Sequence, residues 1–358
     1  MDADRTSFAT SIATYERGLA EQLGEDLDRK GLDKKHERMR DTPFRFLRAT
    51  YWRWAETILD LCPDLADAPA VLAIGDTHVE NFGTWRDVEG RIVWGANDFD
   101  EAAEMPYPLD LVRLATSAML VGGQRSGLMC EAIETGYAEG LADPRPFILE
   151  RDHAWLREAV IVSEDHRADF WSDLDKRAQA IPARFVTALA AAMPGPVGNL
   201  RLFPRRAGTG SLGRPRFVAI GDWQGGPVVR EVKAILPPVW VVARGVADAP
   251  IRAAEIADGP YRAPDPHYRI ASSLVVRRLS PNNRKIEVMG DAATFLSLQL
   301  LHAMGYEIGN CHAGDGNRIV AVQADMAKRE TGWLKRAAKT AADFIEQEQA
   351  RYRRSPAL

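Results

Sequence analysis

Two short acidic segments, GDTHVENFG from Gly75 and NDFDEA from Asn97, carry the residue types of this chain best suited to chemistry. Asp76 stands at the end of the apolar run AVLAI and Asn81 follows five residues later, so one loop draws an acid and an amide oxygen into the same small volume. Asp98 ends a second apolar run, RIVWGA. Magnesium takes hard oxygen ligands, usually one or two protein carboxylates together with phosphate and water. Asn81 and Asp98 match that need, and Asp100 is either a second metal contact or a solvated turn acid. Asp76 is then left to accept a proton from a substrate hydroxyl. Each of these is alone an ordinary residue after a strand; two acidic strand ends so close in the chain make a site. His78 has no His or Cys at ligand spacing, so zinc is not expected and the ring is read as packing within its loop. Asp110, after Pro108 at the start of an amphipathic helix, either caps backbone N–H groups or braces the acidic loop.

A second constellation lies far downstream. GTGSLG, with Gly208, Gly210, Ser211 and Gly213, does not open a helix and does not end in Gly-Lys-Ser/Thr, so neither a dinucleotide fingerprint nor a Walker loop is expected. It precedes two β-branched runs, the second of which, VVREVKAIL, holds Lys233 among apolar neighbours. Glycines let backbone N–H groups approach phosphate, and the lysine supplies a cation for α and β phosphates. The other reading is a mobile hairpin with a lysine reaching solvent.

The elements that must position these groups read as helical, then β-rich, then helical: residues 1–196, 197–285 and 286–358, with MPGPVGN (Met193 to Asn199) as the boundary signal. RFVAIGDWQGGPVVREVKAIL reads as a hairpin turning at Asp222, Gly225 and Gly226, and HYRIASSLVVRRL as one further strand. The basic run RKGLDKKHERMR reads as a solvated helix face.

Together these parts resemble the protein-kinase-like fold, and GDTHVEN resembles the GDxHxxN loop of aminoglycoside and other small-molecule phosphotransferases. NDFD is similar to their metal-binding segment and PYPLDLVRLATS to the helix start that follows. The order is inverted, because the glycine loop and lysine follow Asp76. That order, with TPFRFLRATY upstream and GNCHA downstream, resembles the bacterial domain-of-unknown-function 2252 family over Asp41 to Tyr352. The resemblance implies an α+β, two-lobed kinase-like fold with circularly permuted connectivity, a small antiparallel β lobe and a larger helical lobe. It implies ATP and Mg2+ as cofactors, Asp76 as base, Asn81, Asp98 and Asp100 on metal, and Gly208, Gly210, Ser211, Gly213 and Lys233 on nucleotide. It departs at Ile74, where kinases carry His. A helix glutamate should clamp Lys233; Glu255 has the best spacing and Glu231 shares the lysine's strand face.

The expected activity is ATP- and Mg-dependent phosphoryl transfer to a small molecule or protein. Nucleotidyl transfer, a non-catalytic nucleotide-binding module and a metallophosphoesterase, for which GNCHAG is a poor motif, are the alternatives. The 358 residues carry 46 Lys+Arg against 50 Asp+Glu, a net charge of −4, which argues against a nucleic-acid coat. Three cysteines without CxxC spacing fit a reducing compartment. With no export signal at MDADRTSFATSIATYERG and no spanning apolar run, a cytoplasmic protein away from the membrane is expected.

Overall fold

The computed structural model describes residues 6–122, 126–174, 178, 180–246, 249–285 and 296–355. Four helices come first: α1 (Phe8–Leu23), α2 (Arg29–Asp41), α3 (Pro43–Ala49) and α4 (Tyr51–Leu61). The break between α2 and α3 is local chemistry, since Thr42 is extended, its hydroxyl accepts from Arg45 N at 3.1 Å, and Pro43 opens the next helix. Then come β1 (Ala70–Ala73), β2 (Phe82–Arg86), β3 (Ile92–Ala96) and β4 (Ala103–Pro106), followed by α5 (Pro108–Gly122), α6 (Ser126–Ala142), β5 (Phe147–Ile148), α7 (Ala154–Ala159), α8 (Glu164–Leu174) and α9 (Ala183–Ala192). The β-rich part holds β6 (Gly198–Pro204), β7 (Arg216–Trp223), β8 (Gly226–Ala234), β9 (Arg269–Ala271) and β10 (Leu274–Leu279), with α10 (Val239–Val242) and α11 (Ala253–Ala257) between β8 and β9. Helices α12 (Leu298–His312), α13 (Ile319–Met326) and α14 (Trp333–Arg354) follow.

The molecule is a mixed α+β structure with small antiparallel sheets. The largest sheet has the order β6-β7-β8-β10-β9; β2-β3-β5 and β1-β4 are separate. The two acidic tips therefore leave strands of different sheets, β1 and β3. The β7–β8 hairpin turns on Gln224 and Gly225, both at positive φ, with Trp223 opposite Gly226, so Asp222 lies in the strand rather than in the turn. The run expected as one strand is two, β9 and β10, folded back at Ser272 and Ser273, also at positive φ. The expected boundary at Met193–Asn199 coincides with the passage from α9 to β6. The one after residue 285 falls beside 286–295, outside the described residues.

A large apolar core joins α3, α4, α5, α6, α12 and α14, while a smaller one packs α9 and the ends of α1 and α2 on the five-stranded sheet. Helices α6 and α12 meet through glycines. A Cβ on Gly136 would strike the His302 carbonyl, and one on Gly305 would strike that of Ile133. Gly140 and Gly309 repeat the arrangement one turn along. This close approach carries the end of α12, with His312, under the acidic loop.

Alanine is the better helix former by about 1 kcal/mol, so Gly305→Ala on an open helix would stabilise. Here the backbones must separate, and the variant is expected to lose roughly 1–3 kcal/mol instead. The sign of the shift in a denaturant midpoint checks it.

Candidate functional site

Residues from three stretches of the chain line one small cavity of about 60 Å³: Asp76 and Asn81 from one acidic tip, Asp98 and Asp100 from the other, and Gly208, Gly210 and Ser211 from the glycine loop. The chain between Asp98 and Lys233 covers 135 positions, yet the Lys233 ammonium lies 3.1 Å from Asp98 Oδ1. It lies 2.6 Å from Asp100 Oδ2. Lys233 is carried by the central strand β8, between β7 and β10. Its side chain is only 3% exposed, so it needs these carboxylates.

Burial alone would raise the Asp98 pKa, but Lys233, then Lys285 and Arg277, reverse this and hold it well below the usual carboxylate range. Asp100 is shifted upward by its burial and by the Asp98 charge, against the pull of Lys233 and Arg214. Asp100 Oδ1 is buried without a hydrogen-bond partner. The Asn81 amide nitrogen donates to the carbonyls of Asp98 at 3.1 Å and Asp76 at 3.4 Å, tying the two tips together and leaving its oxygen as the ligating atom. Two carboxylates, one with an orphaned oxygen, and one amide oxygen form a hard donor set that fits Mg2+. No cluster of three His, Cys, Asp or Glu suited to a metal occurs among the described residues, so Asn81 is essential to that set.

Asp76 is held differently. Arg113 Nε donates to its Oδ1 at 2.8 Å, and a second guanidinium nitrogen reaches the same oxygen. Arg113 is wholly buried, with its guanidinium over the rings of Tyr51 and Trp54. Oδ2 faces the glycine loop: a Cβ on Gly210 would stand 3.4 Å from it and 3.0 Å from the Arg48 carbonyl. The Asp76 side chain keeps 21% exposure, enough to meet a substrate.

The loop beneath these tips is held by one carboxylate. Asp110 accepts from Ile74 N at 2.7 Å, Gly75 N at 2.9 Å and the Thr77 hydroxyl at 2.6 Å. His312 Nε2 lies 3.1 Å away on the other side, and the Tyr137 hydroxyl meets the His312 Nδ1 at 2.9 Å. Gly75 adopts φ +93, and a Cβ there would overlap the Glu101 carbonyl, so only glycine fits. His78 is buried and accepts from Glu80 N at 3.1 Å. Burial, with Arg48 and Arg113 nearby, pushes its pKa well below the usual imidazole value and keeps it neutral.

The glycine loop is docked on α2. Lys35 donates to the Gly210 carbonyl at 3.0 Å, Arg38 to the Thr209 hydroxyl at 3.2 Å, and Asp28 N to the Gly213 carbonyl at 3.0 Å. Gly213 thus packs against Leu32 rather than lining the cavity, because its φ of +97 turns the chain onto α2. Ser211 lines the cavity and its hydroxyl accepts from Arg216 at 2.8 Å.

Neither glutamate expected to clamp Lys233 does so. Glu255 is exposed on the short helix α11 and pairs with Arg252, just before it, at 2.6 Å. Glu231, fully buried, is claimed by Arg205, Arg216 and Arg277 at 2.7, 3.1 and 2.6 Å. The lysine instead bridges the acidic tips themselves.

Four contributors escaped the sequence reading. Lys35 shares the buried face of α2 with Leu32 and Met39, so a lysine on an apolar stripe was the available signal. Arg113 sits three residues after Asp110 in an otherwise apolar helix, which is a comparable signal. His312 enters the sequence reading only within GNCHAG, with no role toward Asp110, and Lys285 carries no signal; long-range packing alone brings them here.

Replacing Asp110 by Ala orphans three buried donors at about 1–3 kcal/mol each, so a loss of at least about 3 kcal/mol is expected. Burial opposes ionisation of Asp110, yet His312 and the donors from Thr77 and Ile74 hold its pKa below the usual value. A depressed folded-state pKa stabilises above the unfolded value near 4 and is lost as pH falls through the folded one. The stability gap between wild type and Asp110→Asn should therefore close on acidification from pH 5 to 3 in denaturation curves.

No curated protein and no solved structure matches the chain. Residues 28–136 match the family described as "Uncharacterized protein conserved in bacteria (DUF2252)". The matched segment, less than a third of the chain, holds both acidic tips and Asp110, while Lys233 and the glycine loop lie beyond it; the similarity to that family is a similarity of this segment.

Proposed function

We propose that the cleft is a nucleotide-dependent phosphotransfer site acting on a hydroxylated small molecule or protein. The observation that carries this reading is the meeting of the Asp76, Asn81, Asp98 and Asp100 tips with the Gly208–Ser211 loop around one cavity, with Lys233 behind its wall, paired to Asp98 and Asp100. Phosphoryl transfer needs positioning and charge neutralisation more than covalent chemistry. Asp76 Oδ2 is the proton acceptor for an incoming hydroxyl, with Oδ1 fixed by Arg113. Asn81, Asp98 and Asp100 would hold magnesium, which when bound neutralises phosphate charge. Lys233 presents its ammonium to α and β phosphates. The cavity of about 60 Å³ is far smaller than a nucleotide, so in this reading the glycine loop lifts from Arg48 and Asp76 on binding.

Nucleotidyl transfer is a second reading. The cationic groups Arg277, Arg278 and Lys285 in the adjoining cavity favour it, because they could hold the phosphate chain in the reverse direction. Pairing of Lys233 with the metal-site acids, rather than with a helix glutamate, favours a binding module without turnover. A metallophosphoesterase is disfavoured because His312 is buried between Asp110 and Tyr137.

With Mg-ATP at a hundred times its dissociation constant, wild type should gain about 2.7 kcal/mol. Thermal unfolding of Lys233→Ala and Asp98→Ala should lose that gain, and an unchanged gain in both sinks the reading. Asp76→Asn should retain binding and lose roughly 10²–10⁴-fold in transfer. Product mass distinguishes an added phosphate from an added nucleotide, and binding without product leaves the non-catalytic module.

A further inference from the structure

Beside the acidic cleft lies a larger cavity of about 250 Å³, reaching from β2 and the NDFD loop to β10. The two cavities share Lys285. Its walls combine two chemistries. Trp85, Phe99, Phe170 and Tyr268 give flat apolar faces, while Arg205, Arg262, Arg277, Arg278, Arg284 and Lys285 stand against the single carboxylate of Asp265. Glu231 and Glu307, behind the wall, pair with Arg205, Arg277 and Arg262, and Asp265 lies 3.3 Å from Arg278. The Arg284 guanidinium meets the imidazole of His166 at 3.3 Å while its backbone meets the Thr84 N–H and hydroxyl, so six cations face three carboxylates among the described residues.

Three polar atoms on this wall are buried without partners: Asn97 Oδ1, the Tyr268 hydroxyl and Arg278 Nε. A buried polar atom left unpaired costs about 1–3 kcal/mol; none of the three is solvent-exposed, so a small turn of its side chain into the cavity is what would let a ligand pair it and recover that cost. Asn97 Oδ1 accepts only and Arg278 Nε donates only. The complement is a planar ring with an N–H donor on one side and an anionic group on another.

We propose that this cavity binds an anionic aromatic ligand bearing a ring amine, with its ring against Phe99 and Tyr268, its N–H groups toward Asn97, and its carboxylate or phosphate on Arg278 and Arg284. The same chemistry belongs to a nucleotide and to an aromatic amino-acid-like carboxylate. The site rejects polycations, which the sequence resemblance to aminoglycoside phosphotransferases would have allowed. The inference does not rest on phosphoryl transfer, and its test involves no turnover.

Titration calorimetry on the full chain without magnesium uses AMP and 4-aminobenzoate, with adenosine, 4-aminobenzamide and 4-aminobenzamidine as uncharged or cationic counterparts. At least one anion should bind tenfold or more tighter than its counterparts. AMP binding identifies a nucleotide site, and 4-aminobenzoate binding without AMP identifies a carboxylate site. Tyr268→Phe removes an oxygen that holds nothing else in the fold, and it should weaken the anion several-fold; Arg278→Met should weaken it at least tenfold. Absence of binding by both anions at millimolar concentration, equal binding of the counterparts, or an unchanged affinity in Tyr268→Phe and Arg278→Met overturns the proposal.

Discussion

A buried ammonium cannot stand alone, and that constraint organises this molecule. Lys233 is placed by β8 in the middle of the five-stranded sheet, and among the described residues its charge is met by Asp98 and Asp100, from the other half of the chain. Removing one partner of such a pair leaves an uncompensated charge at a cost of several kcal/mol. The β-rich part is therefore held against the acidic tips by electrostatics as well as by packing. The same pairing holds the Asp98 pKa down and keeps it ionised.

Around this bridge the structure uses rigid supports. Asp110 gathers the N–H groups of Ile74 and Gly75, which a sharp turn leaves without strand partners. His312 and Tyr137 complete that arrangement, and they arrive because glycines let α12 lie against α6. Helix α2, expected as a solvated basic face, turns one lysine and one arginine toward the glycine loop and holds it over Asp76. Arg29, Lys30 and Lys34 are exposed, whereas Arg40 donates to the carbonyls of Tyr352, Arg353 and Ser355 at the end of α14.

Much of the local structure was legible because its causes are local. The β7–β8 hairpin follows from β-branched runs around a turn that contains Gly225, and the passage to β6 from the Pro and Gly of MPGPVGN. The short strands β2 and β4 were not foreseen, because FGTWR and AEMP lack clear alternation and are ordered only by their partners β3 and β1. The clamp on Lys233 was misread for a similar reason. Spacing along the chain favoured Glu255 and strand face favoured Glu231, whereas the actual partners depend on how the sheet packs over the tips.

By itself the sequence determined which residue types stand at strand ends, where glycines relax the backbone, and which runs bury an apolar face, since these depend on neighbours within a few positions. Only the tertiary structure decided that Lys233 meets Asp98 and Asp100, that His312 backs Asp110, and that Arg205, just past β6, and the arginines of β10 line one cavity with Phe99. The physical reason is that burial and charge pairing act through space, and residues more than a hundred positions apart are matched only when the core closes.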